Sequence, residues 1–504
     1  MAPWTVAGIV AILALISGVG IWSGRKVEDE EDFITGGGRA GPALVCGALM
    51  GSLVSSQATM GTVQLAFHYG LAAWWFTLGS GLGCLLLALG YVRPLRASGC
   101  VTEMQIISRE YGGVVDGLGS VLSAVGIFIT VLVQMMACIG LFTLMSPAMP
   151  LWAAALVSVA VMACYVLFGG AWGAGMGGVI KVALLYLTSL CGMGIVLVSE
   201  GGVSGLMGTL SASFVGTPLG SVQGALGLSD IASAGDISAR FLNIVARGLA
   251  KDGGSCVSLI LGVISTQTYA QAVWSARTDA DARRGVLLSA LLIPPLGIAG
   301  ILIGLFMRAH YITQAEVAAL TAAGLAVPDL PVLASTLHAM PAFVIDHLPP
   351  LLAGAVLGTL AITVVGGGAG LSLGMATILV KDLYKRLTKG VDTPGRELLA
   401  TRLTIAAILV SVAVLAVALP NRVLNDFGFL SMGLRGAVVF APLTCALAFR
   451  GRIRPAFILA SMILGPVGVV VGRSLSVDPL MAGMAVSILC CLAGLCLPRR
   501  GGTS

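Results

Sequence analysis

Charge is what this sequence has least of. Asp, Glu, Lys and Arg make up 10% of its 504 residues, against about 25% in an ordinary water-soluble chain. So few polar groups cannot coat a chain of this length in water, so lipid must be its solvent. Aromatic residues are scarce too, at 6%, and there are only 4 histidines. His68, His310, His338 and His347 lie at the ends of apolar runs or in loops, and no metal site is expected from them. The 11 cysteines form no pair of C-x-x-C motifs, which argues against thiolate ligation of a metal. Most of them (Cys46, Cys84, Cys138, Cys164, Cys191, Cys445, Cys490, Cys491, Cys496) sit in apolar runs, where they act as small hydrophobes. There is no H-E-x-x-H, no suitably flanked G-x-S-x-G and no nucleophile–base pair. A membrane enzyme is therefore not expected.

What the chain has is apolar length: 57% of it is hydrophobic. A membrane helix needs about 20 mostly apolar residues. Runs of that kind give about thirteen spans, near 4–23, 42–66, 72–91, 117–145, 151–168, 178–199, 253–275, 285–308, 348–379, 398–420, 424–449, 454–472 and 477–497. The first run, Trp4 to Ile21, has no basic residues before it, while Arg25 and Lys26 follow it. That order is opposite to a signal peptide's and predicts a retained helix with its N-terminus outside.

The formal charge of +6 could suggest a nucleic-acid partner. Its placement says otherwise. With the N-terminus outside, 21 of the 28 Lys and Arg fall on the inner side, 6 on the outer side, and Arg435 within a span. The excess of inner cations sets the orientation, N-terminus outside and C-terminus in the cytoplasm, and a plasma (inner) membrane is expected. The basic residues are loop anchors at a membrane surface, so no nucleic acid is expected. Two long outer segments, 200–252 and 309–347, read as caps with small helices rather than as separate domains.

With the first span set aside, spans two to six and seven to eleven form two sets of five. Five is odd, so the second set starts on the opposite side of the bilayer, which is the geometry of an inverted repeat. The lead helix of each set carries a polar interruption. The first reads Gly51-Ser52-Leu53-Val54-Ser55-Ser56-Gln57-Ala58-Thr59-Met60-Gly61, and the second Ser265-Thr266-Gln267-Thr268-Tyr269-Ala270-Gln271. Helix packing alone can explain one such cluster. Two matched clusters point to unwound helices around a central binding site, because carbonyls freed within a bilayer must face a cavity or an ion. Breaks are expected near 53–57 and 264–268.

Several segments then resemble the sodium:solute symporter family. Asp32 to Arg39 (Asp-Phe-Ile-Thr-Gly-Gly-Gly-Arg) resembles its D-F-x-x-A-G-R signature. His68-Tyr69-Gly70-Leu71-Ala72-Ala73-Trp74-Trp75 resembles Y-R-Y-G-x-S-A-x-W, and Val101 to Gly112 resembles T-x-P-E-x-L-x-x-R-F/Y-G. Ala276-Arg277 through Ala282-Arg283-Arg284 resembles A-A-K-D-x-x-x-A-R-R, and Lys381-Asp382-Leu383-Tyr384-Lys385 matches D-x-Y-K. The matches come in family order along most of the chain. The resemblance implies an all-α polytopic membrane protein with a LeuT-like five-plus-five inverted repeat, one helix before it and two after. It would be a single transmembrane unit over 1–504: an extra helix at 4–23, repeats at 42–199 and 253–449, and final helices at 454–497. It also implies uptake of a small organic solute coupled to sodium, with no organic cofactor and no obligate protein partner.

The family's ion site maps onto the carbonyls of Gly51, Val54 and Thr363 and onto Gly366 and Gly367, where the family has two Ser/Thr residues. Glycine offers a carbonyl but no hydroxyl, so this shell departs from the family's. Where the family has W-T-D-x-x-Q, this chain has Gly178 for the acid and Lys181 for the amide. Lys181 either snorkels to the inner interface or fills the vacated ion site with its ammonium. No Asp or Glu lies deep in an expected span, so no carboxylate relay is visible. Arg435, halfway along span eleven, either ties down helix-end carbonyls or grips a solute carboxylate. The candidate solute-binding residues are Ser55, Ser56, Gln57, Thr59, Gln134, Gln267, Thr268 and Arg435. The runner-up to sodium coupling is a proton-coupled or sodium-independent carrier with Lys181 in place of the ion. A remote rival is a membrane sensor that kept a transporter fold, which would need an attached signalling domain.

Overall fold

The computed structural model describes residues 3–24, 36–146, 148–384, 394–419, 424–472 and 478–497. In lipid every backbone N–H and C=O must find a partner within the chain, which leaves helices as the economical solution. The described residues are helical almost throughout. Strand is confined to a parallel pair, Ile312–Thr313 with Val332–Leu333, in a capping segment.

The helices used below are α1 (Pro3–Gly24), α2 (Pro42–Leu53), α3 (Thr62–Tyr69), α4 (Trp75–Leu86), α5 (Gly113–Met145), α6 (Leu151–Ser199), α7 (Leu249–Ile264), α8 (Gln267–Trp274), α9 (Asp279–His310), α10 (Pro350–Ile378), α11 (Pro394–Ala418), α12 (Leu424–Arg435), α13 (Pro455–Gly472) and α14 (Pro479–Cys496). Among the described residues nine helices are long and apolar enough to cross a bilayer, or ten if the bent α7–α8 pair is one span. The expected thirteen is not confirmed, and the reason is physical. The second expected span is split at residues 54–56, so α2 is too short to qualify alone. The remainder, Gln57–Ala97, counts as one stretch although the chain turns within it at Gly70, so the end of the second expected span and the third are counted together.

Residues 151–199 are also helical without interruption. At 1.5 Å per residue that is about 74 Å, far beyond the roughly 30 Å of hydrocarbon. The helix is not straight. A Cβ on Gly177 would lie 2.3 Å from the Tyr165 hydroxyl. In a straight helix those two residues are about 18 Å apart. The run therefore bends back between them into two apolar arms, the shorter Leu151–Leu167 and the membrane-length Gly175–Ser199.

Two faces are distinguished by their loops. On the basic face, Arg96 donates to Asp279 and to the carbonyls of Val273 and Ala276. On the opposite face, segments 200–252 and 309–347 form caps with helices such as Val203–Phe214, Gln314–Ala322 and Ala339–His347. Arg308 holds this cap. It is fully buried, donates to both oxygens of Glu316 at 3.0 and 2.5 Å, and lies over the rings of Phe67 and Phe214.

Two predictions follow from this architecture. Gly70 turns the chain between α3 and α4 with φ +51°, and a Cβ there would lie 2.1 Å from the Phe241 carbonyl. Gly70→Ala should lower the thermal midpoint in detergent, since such strain costs about 1–3 kcal/mol before the clash is counted. The second concerns acid. Burial alone would raise the Glu316 carboxyl, but the Arg308 charge and its hydrogen bonds override burial and bring it from 4.5 down to about 2. A depressed carboxylate stabilises the fold fully above its unfolded value and loses that stabilisation as pH falls through the folded one. The cap should therefore stay protected from hydrogen exchange at pH 4.5 and lose protection only toward pH 2.

Candidate functional site

The first break lies where the polar cluster predicts it. α2 stops at Leu53, and Val54 leaves the helix with φ −81° and ψ 88°. Helix resumes at Gln57 as a wide turn, Gln57–Gly61, before α3. The second break separates Ile264 from Gln267. Thr266 is extended (φ −114°, ψ 112°) and the axis bends by 45°.

One helix holds both breaks. Gln134 of α5 donates from Nε2 to the Ser55 hydroxyl at 2.9 Å and accepts the Ser56 N–H on Oε1 at 3.1 Å. One turn earlier, Thr130 accepts a hydrogen bond from Arg435 at 3.1 Å. Arg435 in turn donates to the Thr266 hydroxyl at 2.8 Å. Four residues is about 6 Å of helix rise, so the two breaks lie at nearly the same depth.

The central feature is Lys181. Its side chain is fully buried, and Nζ donates to the Gly51 carbonyl at 2.7 Å and to the Thr363 carbonyl at 3.1 Å. Close backbone packing delivers it there. A Cβ on Gly178 of α6 would lie 1.9 Å from the Gly47 carbonyl of α2. An acidic side chain has no room at Gly178, and Lys181 and Gly51 follow on the next turn of each helix. Lys181 therefore does not snorkel; it bridges α2 and α10 at the carbonyls where the resemblance implies an ion.

Gly366, Gly367 and Gly368 of α10 form the opposing wall. A Cβ on Gly367 would lie 2.7 Å from the Ser55 Cβ, and one on Gly366 3.5 Å from the Tyr165 hydroxyl. Gly366 and Gly367 bring no hydroxyl of their own, and Ser55 leaves no room for a side chain at Gly367. Val54 sits at the break itself, its N–H bonded to the Met50 carbonyl.

The other candidates separate into two groups. Ser55, Ser56, Gln57 and Gln134 meet at the first break. Ser56 Oγ and Gln57 Nε2 are buried and have no hydrogen-bond partner among the described residues. Thr59 donates to the Ser55 carbonyl and lines a small void with Thr188 and Met340. Gln267 and Thr268 lie elsewhere. Gln267 accepts the Glu103 N–H on Oε1 at 3.0 Å and donates to the Val101 carbonyl at 2.8 Å. Its amide is taken up by the basic-face turn instead of the first break. Thr268 points at the Gly370 carbonyl, 3.5 Å away.

Arg435 is fully buried with no carboxylate in ion-pair range among the described residues. Its hydrogen bonds go to neutral groups, among them the hydroxyls of Thr266, Thr130 and Ser431, the Ser431 carbonyl and the Met432 sulfur, with the Tyr269 hydroxyl beside it and the buried Glu103 carboxyl within electrostatic reach but beyond ion-pair distance.

Sequence reasoning missed Asn425. It stands at the start of α12, fully buried, with neither amide atom hydrogen-bonded. Its Oδ1 lies 2.1 Å from where a Gly61 Cβ would be, and Gln57 Nε2 lies 2.5 Å from the Cβ position of Gly428. The two amides thus interleave across the α12 contact. The signal was one Asn in an apolar run, at the start of the expected 424–449 span.

A bundle of apolar helices with two of them broken at polar clusters, both tied to α5, is the arrangement of a membrane transporter of the LeuT-like class. Comparison agrees. A Na+-coupled sialic acid symporter in its substrate-bound outward-open state superposes with a TM-score of 0.74 at 14% identity, covering 98% of both chains. Mhp1, a nucleobase-cation-symport-1 family transporter in a closed conformation with bromovinylhydantoin bound, gives 0.52 at 11% identity, covering 94% of this chain and 97% of that one. No curated protein matches the chain in sequence. The sequence profile of the sodium:solute symporter family matches residues 33–465, and the chain belongs to that family. It is an integral membrane transporter of a small-molecule solute and not an enzyme, and family membership supports sodium-coupled symport.

Restoring a family hydroxyl tests the glycine wall. Gly367→Ser forces a Cβ against Ser55, and overpacking of this kind costs about 1–3 kcal/mol. The variant should melt earlier in detergent and gain no stabilisation from added sodium; a sodium-dependent rise in midpoint would contradict the geometry.

Proposed function

We propose that this symporter carries a small organic solute by alternating access, and that the Lys181 ammonium occupies the Gly51–Thr363 cation position in place of sodium. The supporting observation is the pair of hydrogen bonds from Nζ to those carbonyls at 2.7 and 3.1 Å. An ammonium is a monovalent cation with three donors. Protonated, it sets a full positive charge against carbonyls that would otherwise face an ion; neutral, it keeps two N–H donors but not the charge. The proton on Lys181 is then the charge that this position can load and release as repeats 42–199 and 253–449 rock against each other.

The solute site is assigned to the first break. Ser56, Gln57 and Asn425 leave buried polar atoms without partners, and an unmade hydrogen bond in such a place costs about 1–3 kcal/mol. A bound solute would supply the missing partners. Gln134 and Ser55 shape the break, and Thr59 borders it. A carboxylate on the solute would find its counter-charge in Arg435, exchanging hydroxyl partners for carboxylate oxygens. The excess of basic loop residues supports a plasma-membrane orientation with the basic face and C-terminus inside and the N-terminus outside. Nothing in the scheme requires a partner protein.

Sodium acting at the same position is the second reading, favoured by family membership. It needs Lys181 to withdraw, and it receives no hydroxyl from Gly366 or Gly367. The two readings part in vesicles. With Lys181 as the cation, purified protein takes up solute without sodium, and Lys181→Ala abolishes uptake driven by a pH gradient. Strict sodium dependence of the wild type, with Lys181→Ala still active, would end the proposal. Arg435 has its own test. Arg435→Lys keeps the charge and loses the planar fork, so apparent affinity for a carboxylate solute should fall roughly tenfold or more, the loss of one charge-assisted bond. Unchanged affinity would remove the carboxylate assignment.

A further inference from the structure

A second cavity lies apart from the break. It has a volume of about 300 Å³ and sits on the capped face, walled by the end of α3, the 226–251 segment, the Gln314–Ala322 helix and the start of α12. That is enough for a small organic solute, at the lower limit of ordinary ligand cavities. Four carboxylates and cations line it: Arg247, Lys251, Glu316 and Asp426.

Two of the four are already neutralised. Glu316 is held by Arg308. Arg247 pairs with Asp252 at 2.6 Å. The other two are not. The Lys251 and Asp426 side chains are exposed and form no ion pair or hydrogen bond with each other or with any other described residue. Among the described residues the cavity therefore offers a free cation and a free anion, carried by the first turns of α7 and α12, two helices that pack against each other. The Tyr69 hydroxyl, also without a hydrogen bond among the described residues, lies on the α3 wall.

The floor continues inward. Gln64 of this cavity accepts the Leu424 N–H. The next residue along α12 is Asn425, whose two amide atoms are unpartnered, and beyond it across the helix contact lies Gln57. Unpartnered polar atoms of Asn425, Gln57 and Ser56 thus lie on the way from Asp426 to the first break, while Gln64 itself is bonded through both its amide atoms.

We propose that this vestibule is a separate entry site that selects zwitterionic solutes, with the solute carboxylate on Lys251 and its ammonium on Asp426. The inference rests on the carboxylate-solute reading above and narrows it to molecules that also carry an amine. A simple carboxylate meets attraction from Lys251 and repulsion from Asp426; a cation meets the reverse; only a zwitterion gains from both. Selectivity arises as much from the repulsive member as from the attractive one.

The test uses full-length protein in proteoliposomes, with a panel of L-amino acids and the matched 2-hydroxy acids, in which a hydroxyl replaces the amine. Wild type should take up at least one amino acid with a lower apparent KM than its hydroxy acid. Asp426→Asn should raise the amino-acid KM roughly three- to tenfold, the scale of one partly solvated charge pair, and leave or lower the hydroxy-acid KM. Lys251→Gln should raise both, and Asp426→Glu should restore discrimination, which a merely unfolded variant could not do. Unaltered discrimination in Asp426→Asn overturns the vestibule site. Uptake of hydroxy acids in preference to amino acids by the wild type, or uptake of neither class, overturns the zwitterion assignment. Failure here is distinguishable from failure of the carboxylate reading, because Arg435→Lys is scored on the same panel: a loss of hydroxy-acid affinity in that variant keeps the carboxylate assignment even where Asp426→Asn leaves discrimination unaltered.

Discussion

The structure depends on one constraint: a helix broken inside a bilayer exposes carbonyls that water cannot reach. Each unsatisfied group there costs several kcal/mol. In this chain the debt at the first break is met by a side chain. The Lys181 ammonium reaches the Gly51 and Thr363 carbonyls from a third helix and joins α2, α6 and α10. The sequence around it follows from this. Gly178 and Gly47 allow α6 and α2 to touch backbone to backbone, and Gly366 and Gly367 let α10 close on Ser55 and Tyr165. The Lys181 ammonium and the side-chain-free Gly366 and Gly367 fit one arrangement, in which a side chain meets the carbonyls and α10 packs close against it.

The second break is satisfied differently. Arg435 binds Thr266 across it and anchors to Thr130 on α5, while Gln134 on the same helix fastens the first break. α5 therefore acts as a common post for both interruptions. On the basic face Gln267 ties α8 to the turn at Val101–Glu103, and Asp382 ties the end of α10 to Thr102 and Gln105 of that turn. On the capped face the 300 Å³ cavity already reaches down to Gln64 and Asp426.

The architecture was legible in the sequence because membrane helices announce themselves by apolar length, and breaks by polar residues that have no business in lipid. Ser55-Ser56-Gln57 and Ser265-Thr266-Gln267 located both interruptions to within a residue or two. The destinations of individual side chains were less legible. Gln267 looked equivalent to Gln57, yet it sits just past the bend, and the 45° turn carries it to the basic-face turn. The charge of Arg435 was visible, but not the ring of hydroxyls from three helices that surrounds it. Asn425 was overlooked because hydropathy places a residue along a span, not on a face, and its significance lies in pointing at Gly61 across a helix contact. Span count failed for the related reason that a break and a fold-back redistribute residues among helices without changing composition.

The central claim is that Lys181, not sodium, sits between Gly51 and Thr363. High-resolution structures of the purified protein in sodium-rich buffer and in buffer with choline as the only monovalent cation test it most directly. The account predicts the same arrangement in both, with Nζ within hydrogen-bonding distance of the two carbonyls. A sodium-rich structure in which the ammonium has swung away and an ion lies among the carbonyls of Gly51, Val54 and Thr363 would contradict it.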